Sequence, residues 1–204
     1  PRGTPPALSA QMLFPYLIGS TFISSYREAH PEDPGCKNLY KRPPRTTAEV
    51  IDPRLWEQGG PQRHFKEPGT FLPGFEAIYH SSLGRLLAHV VLTGVGDPAA
   101  GDVSAGLWDP SYRDNNVVIG SGWEGDIVVV FSKAPNKSGT KLPGNDIVIW
   151  SSRWSSAEEA GGIARLLRQR LPSATVHRRG QRIDAIMRNG GAQIQSILEA
   201  LERW

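Results

Sequence analysis

One cysteine, Cys36, is all that 204 residues contain, which excludes an internal disulfide and any zinc site built from cysteine pairs. Long apolar runs are missing as well. The best candidate, Met12 to Ile23, is broken by Pro15, Gly19 and Ser20 and falls short of the roughly 20 apolar residues that cross a bilayer, so no membrane span is predicted. Nor is there an H-E-x-x-H pairing, with which a helix holds and uses a catalytic zinc. The histidines His30, His64, His80, His89 and His177 stand apart, and each reads as a surface or internally satisfied side chain, not as a ligand. No cofactor and no bound metal are therefore expected in this chain. Charge of one sign is hardly in excess: 23 Lys plus Arg against 20 Asp plus Glu leave a net of +3, too little to argue for nucleic acid, and no such partner is expected.

What is present describes a globular protein. With 39% hydrophobic and 21% charged residues, the chain is long enough to bury a core as one large domain or two small ones. It opens Pro1-Arg2-Gly3-Thr4-Pro5-Pro6, without initiator Met or charged leader, and is read as a piece of a longer protein.

Periodicity divides the chain near Gly120. Ser9 is a plausible N-cap for a helix carrying Met12, Leu13, Tyr16, Leu17, Phe22 and Ile23, which starts close to Pro15 and ends before His30-Pro31. Pro31 to Pro73 has too many prolines and glycines for long elements, apart from a short helix at Thr46 to Ile51 capped by Thr46 or Thr47. Ser81 to Thr93 has the apolar spacing of an amphipathic helix, Pro98 to Leu107 is a weaker helical stretch, and Asp109 to Asn116 reads as a polar loop. Beyond Gly120, Asp126 to Phe131 and Asp146 to Ser151 form one predicted hairpin, and Ala174 to His177 and Arg182 to Met187 form another around Arg179-Gly180. Between them Ser155 or Ser156 caps a helix through about Arg170, with Glu158 and Glu159 early and arginines late, as the helix dipole favours. Ala192 to Arg203 closes the chain as a helix. The predicted class is α+β: a mainly helical region over 1–119, then β-β-α-β-β-α over 120–204 as an antiparallel sheet with helices on one face.

Two stretches invite a chemical reading. Arg42-Pro43-Pro44-Arg45-Thr46-Thr47 either lines a substrate groove with stiff backbone and two cations, with Glu49 close by, or is a proline-stiffened connector to a short helix. Gly122-Trp123-Glu124-Gly125-Asp126 reads as a turn that presents Trp123 inward and lets Asp126 bond nearby backbone. The arginines Arg165, Arg168, Arg170, Arg178, Arg179 and Arg182 are the densest basic region; a solvated helix face is the default reading, and a phosphate-tracking surface the other.

The run Phe14-Pro15-Tyr16-Leu17-Ile18-Gly19-Ser20-Thr21-Phe22, followed by Tyr40 to Pro53, resembles part of a group of bacterial and archaeal proteins related to zinc metallopeptidases of the gluzincin class. There a helix opening F-P-Y-x-x-G-x-x-F follows the zinc-binding helices and precedes a loop Y-x-x-P-P-x-S-T-E-Q-x-L-H-P. Here the Glu-Gln pair of that loop is Ala48-Glu49 and its histidine is Asp52. A later G-W-x-G-D is matched by Gly122 to Asp126, whereas Trp154-Ser155-Ser156 stands where the group has W-D-T. Pro15-Tyr16-Leu17-Ile18-Gly19 also looks like the P-Y-x-K-G of gluzincin aminopeptidases, with Ile18 for the lysine. That tyrosine donates to the oxyanion of the tetrahedral intermediate, a bond worth about 3 to 4 kcal/mol. The resemblance thus implies that Tyr16 stabilises a transition state and that Arg42, Arg45, Glu49, Trp123 and Asp126 line a substrate site. The alternative for Tyr16 is a core residue on an apolar helix.

On this reading the chain is the non-catalytic, metal-ligand-lacking C-terminal portion of a zinc-metallopeptidase-like protein and helps form a cleft for a peptide or protein substrate. Zinc would belong to the full-length parent, and the resemblance implies an extracytoplasmic location. The other reading is a ligand- or partner-binding domain on the same scaffold without activity.

Overall fold

The fold is taken from a computed structural model that describes residues 6–59, 65, 72–93, 122–133, 146–188 and 194–204. The predicted stretches Pro98 to Leu107 and Asp109 to Asn116 lie outside the described residues. Among those described, the helices are α1 (Pro6–Ala29), α2 (Lys37–Lys41), α3 (Thr47–Ile51), α4 (Pro53–Glu57), α5 (Gly84–Thr93), α6 (Ala157–Arg170) and α7 (Ile194–Arg203). The strands are β1 (Phe75–Ser81), β2 (Trp123–Lys133), β3 (Ile147–Trp154), β4 (Thr175–Arg179) and β5 (Arg182–Arg188). The class is α+β, with five strands in one antiparallel sheet.

Two compact units divide the chain: residues 1–62 with 84–121, and residues 63–83 with 122–204. The chain therefore passes between units three times, where the sequence pattern suggested a single boundary near Gly120. The reason is β1, which the pattern did not single out and which pairs with β2 from Phe75↔Lys133 to Ser81↔Val128.

The first unit is built on α1. Its buried residues Ala10, Phe14, Phe22 and Tyr26 recur at multiples of four, one stripe of a helix. Ser9 does not cap this helix, and Pro15 sits in its interior instead of at its start. Proline removes one backbone bond there, a cost of ~3 kcal/mol. Burial of Ala10 and Phe14 on the turns before Pro15 supplies an opposing gain. Phe22, Tyr26, Cys36, Leu39 and Trp56 form a core, with Trp56 edge-on to Phe22 and Tyr26 at ring separations of 6.3 and 5.5 Å. The α3 cap is as predicted: Thr46 Oγ1 accepts from Glu49 N at 3.3 Å and Glu49 Oε2 accepts from Thr46 N at 3.0 Å. The predicted Ser81 to Thr93 helix begins at Gly84, whose φ of 70° is left-handed, and Thr47 Oγ1 accepts from Leu86 N at 3.2 Å near its start.

The second unit is the sheet, in order β1-β2-β3-β5-β4. Both predicted hairpins form, β2 with β3 and β4 with β5. Because β3 and β4 both run antiparallel to β5, they are parallel to each other, and α6 makes the crossover between them. Ser156 caps α6 by accepting from Glu159 N at 3.1 Å. Helices were expected on one face, but α6 and α7 lie on opposite faces. Ile197, Ala200 and Leu201 of α7 pack with Ile127, Val129, Phe131, Ile147, Ile149 and Ile186. On the other face Arg178 Nη1 donates to the Ala157 carbonyl of α6 at 3.1 Å. The cause is visible in β5, where Ile183 and Ala185 point away from Ile186 and all three are buried, so both faces need a cover.

Candidate functional site

Tyr16 lies in the first unit, on the outer side of α1, and is 77% exposed. Leu8, Met12 and Tyr16 recur at intervals of four, and Leu13 is beside them, so the helix shows solvent an apolar stripe opposite its buried one. Tyr16 is thus not a core residue. Its hydroxyl is open to a ligand or partner.

The Pro-rich loop is mostly committed to structure. Arg42 lies over the Trp56 ring at 4.4 Å and donates to the Trp56 carbonyl, while Trp56 Nε1 donates to the Arg42 carbonyl at 2.9 Å. Glu49 is buried, its Oε2 taking the backbone N–H groups of Arg45 and Thr46. Arg42 and Arg45 are both exposed, whereas Glu49 is not. Asp52, which stands where the related loop has histidine, caps α4 through Arg54 N at 3.2 Å and pairs with Arg54 Nε at 3.0 Å. Burial pushes its pKa up, but Arg54 outweighs this and the net shift is downward.

Two further groups in this unit are tuned by their surroundings. Asp33 accepts from Asn38 N, Lys37 N and the Tyr26 hydroxyl at 2.9, 2.9 and 2.8 Å, which holds its carboxyl below the usual range. Burial, together with the nearby Arg85, lowers His89 to about 4, so it is neutral at pH 7.

Trp123 and Asp126 belong to the second unit, apart from the other predicted site residues. Both are buried. Asp126 accepts from Ser82 Oγ, Trp150 Nε1 and Leu83 N at 2.5, 2.8 and 3.2 Å, tying the end of β1 to the sheet. The inward Trp and the backbone bond of Asp126 follow the sequence reading, but the bonded backbone is 43 residues away in the chain.

The sheet gathers a constellation that the sequence did not. On the α7 face, Arg153, Arg182 and Arg179 are direct partners across β3, β5 and β4. The next row is Ser151, Asp184 and His177. Asp184 is fully buried and accepts from Ser151 Oγ at 2.6 Å, Arg182 Nε at 2.8 Å and Arg179 Nη2 at 3.1 Å. Arg153 Nε faces Glu124 Oε2 at 3.3 Å. Arg182 also lies over Trp204 and Phe65, at 4.6 and 5.6 Å from the ring centres. Burial lowers its pKa despite Asp184 beside it, yet a guanidinium stays charged at neutral pH. Of the six arginines grouped by sequence, only Arg179 and Arg182 join this row. Arg153 was missed because strand register, not sequence proximity, brings it there.

Set against family models, curated proteins and solved structures, the chain matches none. Among the described residues no group of three His, Cys, Asp or Glu could hold a metal ion, and no helix is long and apolar enough to cross a membrane. In the row Ser151, Asp184, His177 the serine hydroxyl donates directly to the Asp184 carboxylate.

Proposed function

We propose that the chain is a non-catalytic binding region on a peptidase-like scaffold, and that the outer face of α1 is its binding surface. The observation that carries this is the exposed stripe of Leu8, Met12, Leu13 and Tyr16 on a helix whose opposite side is buried. A stripe of this kind loses free energy in water and gains it under an apolar partner, at about 25 cal/mol per Å² covered. The partner that the gluzincin resemblance implies is the zinc-bearing helical part of the same lobe, which in that group precedes this helix. Tyr16 would then stand at the rim of the peptide-binding cleft, with its hydroxyl available to an oxyanion on the metal.

Met12→Glu places a charge in the middle of the stripe while leaving the buried side of α1 untouched. It should release the partner segment, supplied as a separately expressed upstream region of the parent protein, without lowering the thermal stability of this chain. Unchanged association would remove α1 as the binding surface. The peptidase form of the reading rests on the exposure of Tyr16 and has its own test: in the full-length protein Tyr16→Phe should lower kcat on a peptide substrate by about 100-fold or more with little change in KM, since the bond forms mainly in the transition state.

A further inference from the structure

The arginine row on the sheet has more donors than its own carboxylates use. Like charges directly opposite one another on a sheet are unfavourable unless something offsets them. Among the described residues, three guanidiniums, Arg153, Arg182 and Arg179, are paired with two carboxylates, Asp184 and Glu124, an excess of one positive charge. Arg182 uses Nε and Nη2, on Asp184 and Ser151; Arg179 uses Nη2; Arg153 uses Nη2 on Gln181, while its Nε is ion-paired with Glu124 at 3.3 Å without a hydrogen bond. The Nη1 groups of all three make no hydrogen bond among the described residues. Two more polar atoms on the β4 side, Nε of Arg179 and Nδ1 of His177, are buried without a hydrogen-bond partner. A buried donor left unsatisfied is costly, and guanidinium geometry matches a tetrahedral or planar oxyanion.

We infer that this row is a binding site for the oxyanion group, phosphoryl or carboxylate, of a small ligand. Arg182 is the positioning residue, held between Asp184 below and the Trp204 and Phe65 rings beside it. Arg153 and Arg179 flank it on neighbouring strands, roughly 10 Å apart at their Cα atoms, and their side chains are 39% and 27% exposed, so both are reachable from water. The two of them close on the oxygens, and the ring of Trp204 offers a flat wall to whatever carries the group. This site lies in the sheet unit and does not depend on the reading of α1.

The test is a titration of the intact chain with inorganic phosphate and, separately, with acetate, at ionic strength held constant with sodium chloride, followed through the arginine Nε–H resonances in NMR. Saturable shifts confined to Arg153, Arg179 and Arg182 are expected, and the tighter of the two anions identifies the ligand group as phosphoryl or carboxylate. Arg153→Gln removes a rim cation whose loss leaves Asp184 fully paired. It should weaken binding about tenfold, the worth of one charge-assisted bond, while the sheet stays folded at the titration temperature, with Glu124 left to lose its ion pair. Arg179→Lys keeps the charge next to Asp184 but loses the fork, and should weaken binding while the fold is retained. Shifts that grow linearly without saturating for both anions, or affinities equal to the parent in both variants, would overturn the site.

Discussion

Asp126 and Asp184 are the same chemical group, both buried in the same sheet, and they do different things. Asp126 accepts from three neutral donors, two of them from the segment leading into α5, so it acts as a clasp between the end of β1 and the sheet. Asp126→Ala leaves three donors without their acceptor and should destabilise the fold by about 2 to 4 kcal/mol in urea unfolding. Asp184 instead balances two arginines in a closed environment. Its replacement by Ala strands those cations, and a loss of about 3 to 5 kcal/mol is expected in the same measurement. Asp126 was legible as a backbone-bonding residue, although the turn expected from Gly122 to Asp126 is instead the bulged start of β2. Asp184 was not: nothing in Arg182-Ile183-Asp184 announces that Arg179 and Ser151 converge on it.

At the scale of elements, the caps of α3 and α6 were read correctly, while the cap and start of α1 were not. Thr46 with Glu49, and Ser156, carry local signals that tertiary packing has no reason to override. The start of α1 was misplaced because proline preference is local, whereas the burial of Ala10 and Phe14 is not. The strand β1 went unread for a similar reason. It is mostly exposed, with a bulge between Ala77 and Tyr79, and lacks clean alternation.

The helical unit also carries a pH dependence that can be worked out in sign. His89 has a folded pKa of about 4, below the ordinary 6.5, so its neutral form is favoured by folding. Its contribution is present in full above about pH 6.5 and is lost as pH falls toward 4. Asp33 acts in the same direction lower down, because its depressed pKa gives stability above the usual carboxylate range that fades on acidification. Urea unfolding at pH 7 and pH 4.5 should show a loss on the order of 2 kcal/mol from His89. His89→Gln should remove most of that slope. An equal slope in the variant would mean that burial of His89 does not govern it.

On the scale of the whole molecule, the α+β class, both hairpins and the order of elements after Gly120 were legible from alternation, turn residues and caps. The division into units was not, since it depends on a strand from one part of the chain pairing with a strand some 50 residues later. The same limit governs function. A resemblance directed attention to Tyr16, and proline and arginine content to the Pro-rich loop; the structure leaves Tyr16 open and gives Arg42 and Glu49 of the loop internal contacts. An apolar face of α1 open to water is what the described residues leave, and the proposed binding role rests on it.

The measurement that bears most directly on that account is amide hydrogen exchange over residues 8–16, compared between this chain alone and the longest natural product of its gene. If α1 is a binding surface for the rest of its own lobe, these amides exchange more slowly in the longer protein, and Met12→Glu returns them to the rate of the isolated chain. Equal exchange in the two proteins would contradict it.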